Sequence, residues 1–588
     1  MPKGSPPPGP GRPFFVPMMR KLRWPLLIVL LALVAIAALL MGQKPKLNPI
    51  VPAVEPASGG VYAEGLIGAP VRLNPILDYY NTVDQDVDRL IFSGLIRFDD
   101  RGAPLPDLAD SWAVSLDGTI YNFSIRANAI WQDGEPVTSD DVIFTIERMR
   151  EESSILPEDL KNLWNQVDVV RLDDKVLQFR LSEPFAPFLD YLTFGVLPEH
   201  LLGDMKFEDI ISAPFNLQPV GSGPYQFKQW IVENGQITGV ALEAFSKYYD
   251  KPPFIEQIAF RYYPDGSAAL NAYREGDILG INTVPMDILP QVLQEPALNL
   301  HTGRLPQLTM IFLNLDNPTA TFLQDPKVRR ALMTGLNRQW MVDRLLQGQA
   351  ILADGPIFPG TWAYYDGTEH IEFNPENAIA ILKDAGYTIP AEGGTVRQNA
   401  DGTALTIELL YPDDSDHQAL AEAVARDWSQ IGVDVTLKGM PYEELVTEQL
   451  EGRLYQAALV DLNLSRFPDP DPYPFWHQSE ITGGQNYSHW DDRQASEYLE
   501  QARVTTDTDE RARLYRNFQV RFSQELPALP LFYPVYRYAV DAQVQGVRMG
   551  PLFQPSDRFN TITSWYLVTK RSSGQETTVP EATETASP

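Results

Sequence analysis

The chain has 588 residues, 44% hydrophobic and 21% charged, with a net charge of −30. This is the composition of a folded protein of more than one domain, and its acidity excludes the basic footprint of a nucleic-acid binder. It contains no cysteine, which excludes disulfides, thiol nucleophiles and thiolate metal sites.

Residues 1–23 are Pro/Gly-rich and read as a disordered N-terminus. Residues 1–50 carry seven Lys or Arg and no acid, which leaves −37 on the rest. Trp24 to Gly42, WPLLIVLLALVAIAALLMG, is apolar throughout. At about 1.5 Å per residue it spans about 28 Å, close to a bilayer core. Arg20, Lys21 and Arg23 precede it, so the N-terminus is expected in the cytoplasm and the body outside it. A signal peptide cleaved after Ala35–Ala37 is the alternative; the apolar run continues past that point, which favours an uncleaved anchor. Residues 43–60, with four prolines, read as an extended linker.

The body starts near residue 61. TIYNFSIR alternates Tyr121, Phe123 and Ile125 against polar residues, a half-buried strand. Asp117-Gly118 before it closes a hairpin with the strand of Trp112 and Val114. In WQDGEPVTSDDVIFTIE, Asp133-Gly134 is a turn. Thr138 and Asp141 have the spacing of a capping box, and Val137 and Val142 that of a hydrophobic staple. VLQFRL alternates Leu177, Phe179 and Leu181. Asp325-Pro326 and Asn374-Pro375 each place a cap before a proline at the first helical position. AEAVARDWSQIGVDVTL runs from helix through Gly432 into strand. Mixed strands and helices over some five hundred residues argue an α/β protein of two or more lobes. The tail, 571–588, has no core-forming pattern.

No catalytic motif emerges. The six histidines form no H-E-x-x-H pair, and GSG at 221–223 is not a nucleophile elbow. The acidic runs YPDDSDH (411–417) and DPDP (469–472) lack the calcium-loop spacing and read as solvated turns. No metal or cofactor site is expected, and no catalytic residue is assigned.

Several segments then occur in a familiar order: PDLADSWAVSLDGTIYNFSIR, WQDGEPVTSDDVIFTIERM, PVGSGPYQFKQW (219–230), FLNLDNP and DPKVRRALMTGLNR (312–338), AIAILKDAGY, IGVDVTL, QNYSHW and ELPALPLFYP. With these the body resembles the family 5 extracellular solute-binding proteins of ABC transporters, the oligopeptide-, dipeptide- and nickel-binding type. The resemblance implies a periplasmic-binding-protein-like α/β fold with two lobes, an extra small N-terminal subdomain and a ligand cleft between the lobes. It implies lobe I over 61–306 with the subdomain inserted at about 104–215, lobe II over 307–530, and a return to lobe I over 531–570. The function implied is that of an extracytoplasmic receptor, a monomer, that hands a peptide-like or other small solute to the permease of an ABC importer. A secreted hydrolase, or a sensor on the same fold, is the alternative. The turn and capped helix at 133–147 would then be scaffold of the subdomain.

SRFPDPDPYPFWHQ (465–478) matches the family loop whose first aspartate grips the ammonium of a bound peptide. Alignment on Asp469-Pro470 puts Arg466 at that aspartate and Asn463 at the family's tryptophan. A guanidinium repels an ammonium and suits a carboxylate, phosphate or polyol. Either Arg466 meets the ligand or it pairs with Asp469 or another acid. Asn463, Arg466, Phe467, Asn486 and Tyr487 are the expected ligand contacts.

Overall fold

The computed structural model describes residues 54–99, 102–463, 469–550 and 552–571. The chain divides into two compact units, residues 1–55 with 570–588, and residues 56–569. Of the first, residues 54, 55, 570 and 571 are described, all in extended strand. The second unit holds the larger sheets and the helices.

Strand β1 (Val61–Ile67) leads to the helix Thr82–Ile91. A four-stranded antiparallel sheet comes next, made of β2 (Ala109–Val114), β3 (Ile120–Ile125), β4 (Val167–Asp173) and β5 (Val176–Leu181) in the order β2-β3-β5-β4. This is the small subdomain. Its strands follow the sequence alternation: Tyr121, Phe123 and Ile125 are buried on one face of β3, and Leu177 and Phe179 on β5. Gly134, at φ +103°, makes the expected turn. The Asp141 carboxylate then accepts the Thr138 N–H at 2.7 Å and starts the helix Ser139–Arg150. Val137 and Val142 are both fully buried around that cap.

The main sheet collects β6 (Tyr225–Glu233), β7 (Gln236–Ala244), β8 (Gln257–Tyr263), β9 (Gly280–Ile281), β10 (Leu298–Arg304), β11 (Gln307–Leu313), β12 (Ala350–Leu352), β13 (Thr406–Pro412), β14 (Asp434–Met440), β15 (Ala457–Asn463) and β16 (Ala528–Asp541). Its order is β14-β13-β15-β11-β16-β9-β1-β8-β7-β6, with β10 and β12 also on β16. The fourteen-residue β16 belongs to both lobes. Ala528 to Phe532 pairs with β11, and Val535 to Asp541 pairs with β10. Only Leu305 and Pro306 separate β10 from β11. Two antiparallel stretches therefore cross between the lobes side by side.

Second-lobe strands are buried on both faces. Along β11, Leu308, Met310 and Phe312 join one core while Ile311 and Leu313 join another. The caps read from the sequence are present. Asp325 accepts the Lys327 N–H at 2.8 Å, and Asn374 accepts the Asn377 N–H at 2.9 Å. Gly221, in the PVGSGPY segment, meets the end of the helix Thr82–Ile91. A Cβ there would stand 1.9 Å from the Ile91 carbonyl oxygen, so only glycine fits.

Residues 24–42 lie outside the described residues. Among the described residues no helix is long and apolar enough to cross a membrane.

Candidate functional site

The site is built on the segment between β1 and the helix Thr82–Ile91. Asn81 caps the helix, accepting the Val83 N–H at 2.9 Å. The Asp84 carboxylate, on the first turn, accepts the N–H groups of Val71 at 3.0 Å and Arg72 at 2.8 Å. Burial raises its pKa to about 6, against those N–H donors, which lower it. Gln85 donates to the carbonyls of Asp78 and Tyr79, each at 3.0 Å. Asn74 donates to Asn216 at 3.0 Å, tying the loop to the far end of the subdomain segment. A loop that would otherwise wander is thus fixed by side chains at both ends.

This loop, the helix, the subdomain and the C-terminal return line a partly open pocket of about 150 Å³. Phe92, Trp164, Tyr191 and Phe194 give it aromatic walls, and Asp88, Arg89, Gln554 and Ser556 its polar ones. Asp88 is 3% exposed and Ser556 1%. Among the described residues, both Asp88 carboxylate oxygens and the Ser556 hydroxyl lack a hydrogen-bond partner. Buried polar groups in folded proteins are almost always bonded, which sets these two side chains apart from the rest of the lining. Burial, then the charges of Asp78 and Asp84, hold the Asp88 carboxyl well above the usual carboxylate range. The nearby Asn74 N–H, which donates to the Arg72 carbonyl at 3.1 Å, acts the other way.

The return segment Pro555–Ser564 is held by Arg558, which is fully buried. Its guanidinium gives Glu64 two hydrogen bonds, at 3.0 and 2.6 Å, and Asp86 one at 2.5 Å. It also lies 4.1 Å over the Phe559 ring. Tyr538 donates to Glu64 at 2.9 Å. These bonds fasten the first strand, the helix and the return to one another, two residues from Ser556.

A second cavity, about 570 Å³, opens between the subdomain and the second lobe and shares Leu160 and Tyr191 with the first. Here the two parts touch. Asp190 of the subdomain accepts the Asp469 backbone N–H at 2.6 Å. The Asp469 carboxylate is bound by Arg511 and, at 3.2 Å, by the Tyr515 hydroxyl. Arg503 grips Asp471 at 2.7 Å and lies 3.8 Å over the Tyr473 ring. The acidic run 469–472 is therefore consumed by arginines, and Asp414 of the other acidic run caps the helix Ser415–Gln430.

Of the expected ligand contacts, Arg466 and Phe467 lie outside the described residues. Asn463 is exposed at the end of β15, opposite Gln307. Asn486 is fully buried and spends its amide on the chain: it donates to the carbonyls of His477 and Trp490 and accepts the Trp490 N–H at 3.0 Å. Tyr487 packs edge-on against Phe312 at 5.6 Å, beneath Arg453. Both serve the second-lobe core. Asp88 and Ser556 escaped the sequence reading. A signal was present for the first: Asp84 and Asp88 sit one turn apart on a helix whose other residues include Val83, Val87, Leu90 and Ile91. Ser556 has no such signal, because the wall it belongs to is set by Arg558.

Known proteins share this fold. Residues 103–485 match the family model for bacterial extracellular solute-binding proteins, family 5. The oligopeptide-binding protein AppA of Bacillus subtilis is 26% identical over 526 residues, covering 87% of this chain and 92% of its own. The nickel-binding periplasmic protein of Escherichia coli is 26% identical, over 79% of this chain and 88% of its own. Among solved structures, HbpA2 from Haemophilus parasuis superposes with a TM-score of 0.74 at 24% identity, covering 84% of this chain and 98% of its own. NikZ from Campylobacter jejuni, in complex with Ni(L-His), gives 0.66 at 25%, over 86% and 99%. A model matched over more than half the chain decides the assignment: this protein belongs to the bacterial extracellular solute-binding proteins, family 5.

Proposed function

We propose that the protein is the solute receptor of an ABC importer, held at the outer face of the plasma membrane by residues 24–42 and acting as a monomer. It captures a peptide-like or other small solute as the lobes, 61–306 with 531–570 and 307–530, close, and the permease recognises the closed form. A ligand that bridges both lobes favours the closed state by its differential affinity. The observation that carries this is the family 5 match over residues 103–485 on a fold whose two parts are joined by the side-by-side strands β10–β11 and β16. Asn463, Arg466 and Phe467 are proposed to face the same solute, with Arg466 repelling a free peptide ammonium. The mechanism is binding without turnover.

The test is mass spectrometry of solute released from gently purified, detergent-solubilised protein, with small-angle scattering on loaded and stripped samples. A co-purified solute and a smaller radius when loaded are expected. Steady hydrolysis of peptides or sugars, abolished by one carboxylate substitution, would refute it. For the anchor, release from membranes by salt alone would refute the proposal.

A further inference from the structure

Asp88 stands in unusual surroundings for a buried acid. It is 3% exposed, and among the described residues both its oxygens are unbonded. The charged groups around it are Asp84, one turn earlier, and Asp78 on the facing loop. Tyr262 of β8 faces Asp84 and Asp88 with a buried hydroxyl that also lacks a partner there. The neighbouring cation, Arg89, is turned elsewhere, 3.6 Å from Asp557 and bonded to Asn560. Asp84 is satisfied by the backbone N–H groups of Val71 and Arg72; among the described residues Asp88 has near it only the Asn74 N–H, which is shared with the Arg72 carbonyl. A metal is not indicated: among the described residues no group of three or more His, Asp or Glu has the geometry to hold one.

Resting on the receptor reading above, we propose that this cavity takes the cationic end of the solute, an amine or guanidinium on an apolar or aromatic frame. The charge sits on Asp88, and the frame lies against Phe92, Trp164 and Phe194. An anion would meet Asp78 and Asp88 on the wall, with Asp84 behind them, while the Arg89 guanidinium is held by Asp557 and Asn560. A neutral donor would satisfy one oxygen and gain nothing from Asp78 and Asp84, whereas a cation gains from both and from the aromatic faces. The volume, about 150 Å³, is that of a cavity known to hold one benzene ring, so it receives one ring-sized group and its charge. Burial and the charges of Asp78 and Asp84 raise the Asp88 pKa, and a cation bound beside it lowers that pKa again, so binding releases the share of a proton that the empty site carries. Loading is therefore coupled to proton release and strengthens as pH rises toward the pKa of Asp88. Ser556, the second orphan, offers the same solute a hydrogen bond.

The experiment is titration calorimetry of the full detergent-solubilised chain with benzylamine and benzamidine, their neutral isosteres benzyl alcohol and benzamide, and benzoate. Each is run in two buffers of different protonation heat. The cations are expected to bind about tenfold tighter than the neutral probes, a difference of about 1.4 kcal/mol, with a fraction of a proton released; benzoate is expected not to bind. Asp88→Asn, which keeps the shape, is expected to erase both the preference and the proton release, with an unchanged circular dichroism spectrum. Asp88→Glu is expected to keep the preference. Equal binding of cation and isostere, no proton release, an unaltered preference in Asp88→Asn, or no binding by any probe would each overturn the proposal. A neutral or acidic co-purified solute would overturn it too while leaving the receptor reading intact.

Discussion

Replacing Arg558 by methionine is the sharpest test of how the cavity wall is held. The guanidinium is fully buried and supplies three hydrogen bonds to two carboxylates, Glu64 and Asp86, which are themselves 0% and 1% exposed. Methionine preserves much of the packing on Phe559 but strands both acids. Removing one partner of a buried pair costs about 3–5 kcal/mol, since the remaining charge is uncompensated. The loss should depend on pH in a definite sense. Burial already raises Glu64, and Arg558 is the largest influence opposing that. In the variant, Glu64 then has a folded pKa further above its unfolded value. Its contribution is favourable below the unfolded pKa and lost as pH rises through the folded one, so the defect is smaller at pH 5 than at pH 8. Urea unfolding followed by tryptophan fluorescence suits the question, because Trp565 stands edge-on to Tyr62 at 5.8 Å, inside this region. Glu64→Gln in the Arg558→Met background should recover part of the loss. A cost below about 1 kcal/mol, the range of exposed pairs, or a defect that grows on acidification, would refute the reasoning.

Asp190 touches the second lobe through the Asp469 N–H, and burial, then the Asp469 charge, raises its pKa well above the ordinary range, with Arg511 opposing and Asp471 adding to it. A charged Asp190 would oppose this contact, so scattering should find the closed form weakening as pH rises; Asp190→Asn should remove that dependence, and an unchanged pH profile would contradict this. His417 pairs with Asp414 at 2.6 Å and Asp461 at 3.4 Å. Burial lowers its pKa, but the two carboxylates outweigh that and raise it to about 9. Its stabilisation should be present below pH 6.5 and fade toward pH 9, and His417→Gln should flatten thermal melts across that window. Arg466→Asp should admit unmodified di- to pentapeptides that the wild type binds poorly. Calorimetry that finds tight peptide binding by the wild type, unaltered in Arg466→Ala, would remove Arg466 from the site.

Local chemistry was legible in the sequence. The strand at Ile120–Ile125, the turn at Gly134 and the caps at Asp325 and Asn374 follow from side-chain alternation and short-range hydrogen bonding, which act over a few residues. The two-lobed fold came through the order of segments rather than through any one of them. The cavity did not come through. Its walls are drawn from residues 75–92, 149–195 and 554–556, and no local pattern says that these meet. Asn486 looked like a polar residue in a ligand-facing loop, but its spacing from Trp490 and His477 makes it a bracket for that loop instead. Arg466 was named from the sequence and lies outside the described residues, whereas Asp88 stands out only once the helix Thr82–Ile91 is packed.

The buried pair of Arg558 and Glu64 joins residues 494 positions apart. A chain exported from its N-terminus exposes Glu64 and Asp86 long before their cation emerges. Until then the first lobe lacks the 531–541 stretch of β16, the return segment and the Ser556 wall, and its two acids must stay hydrated or protonated. Pairing so distant in sequence is slow to form. The wall that carries Ser556 is therefore completed only when the return segment Pro555–Ser564 has joined the first strand and the helix Thr82–Ile91.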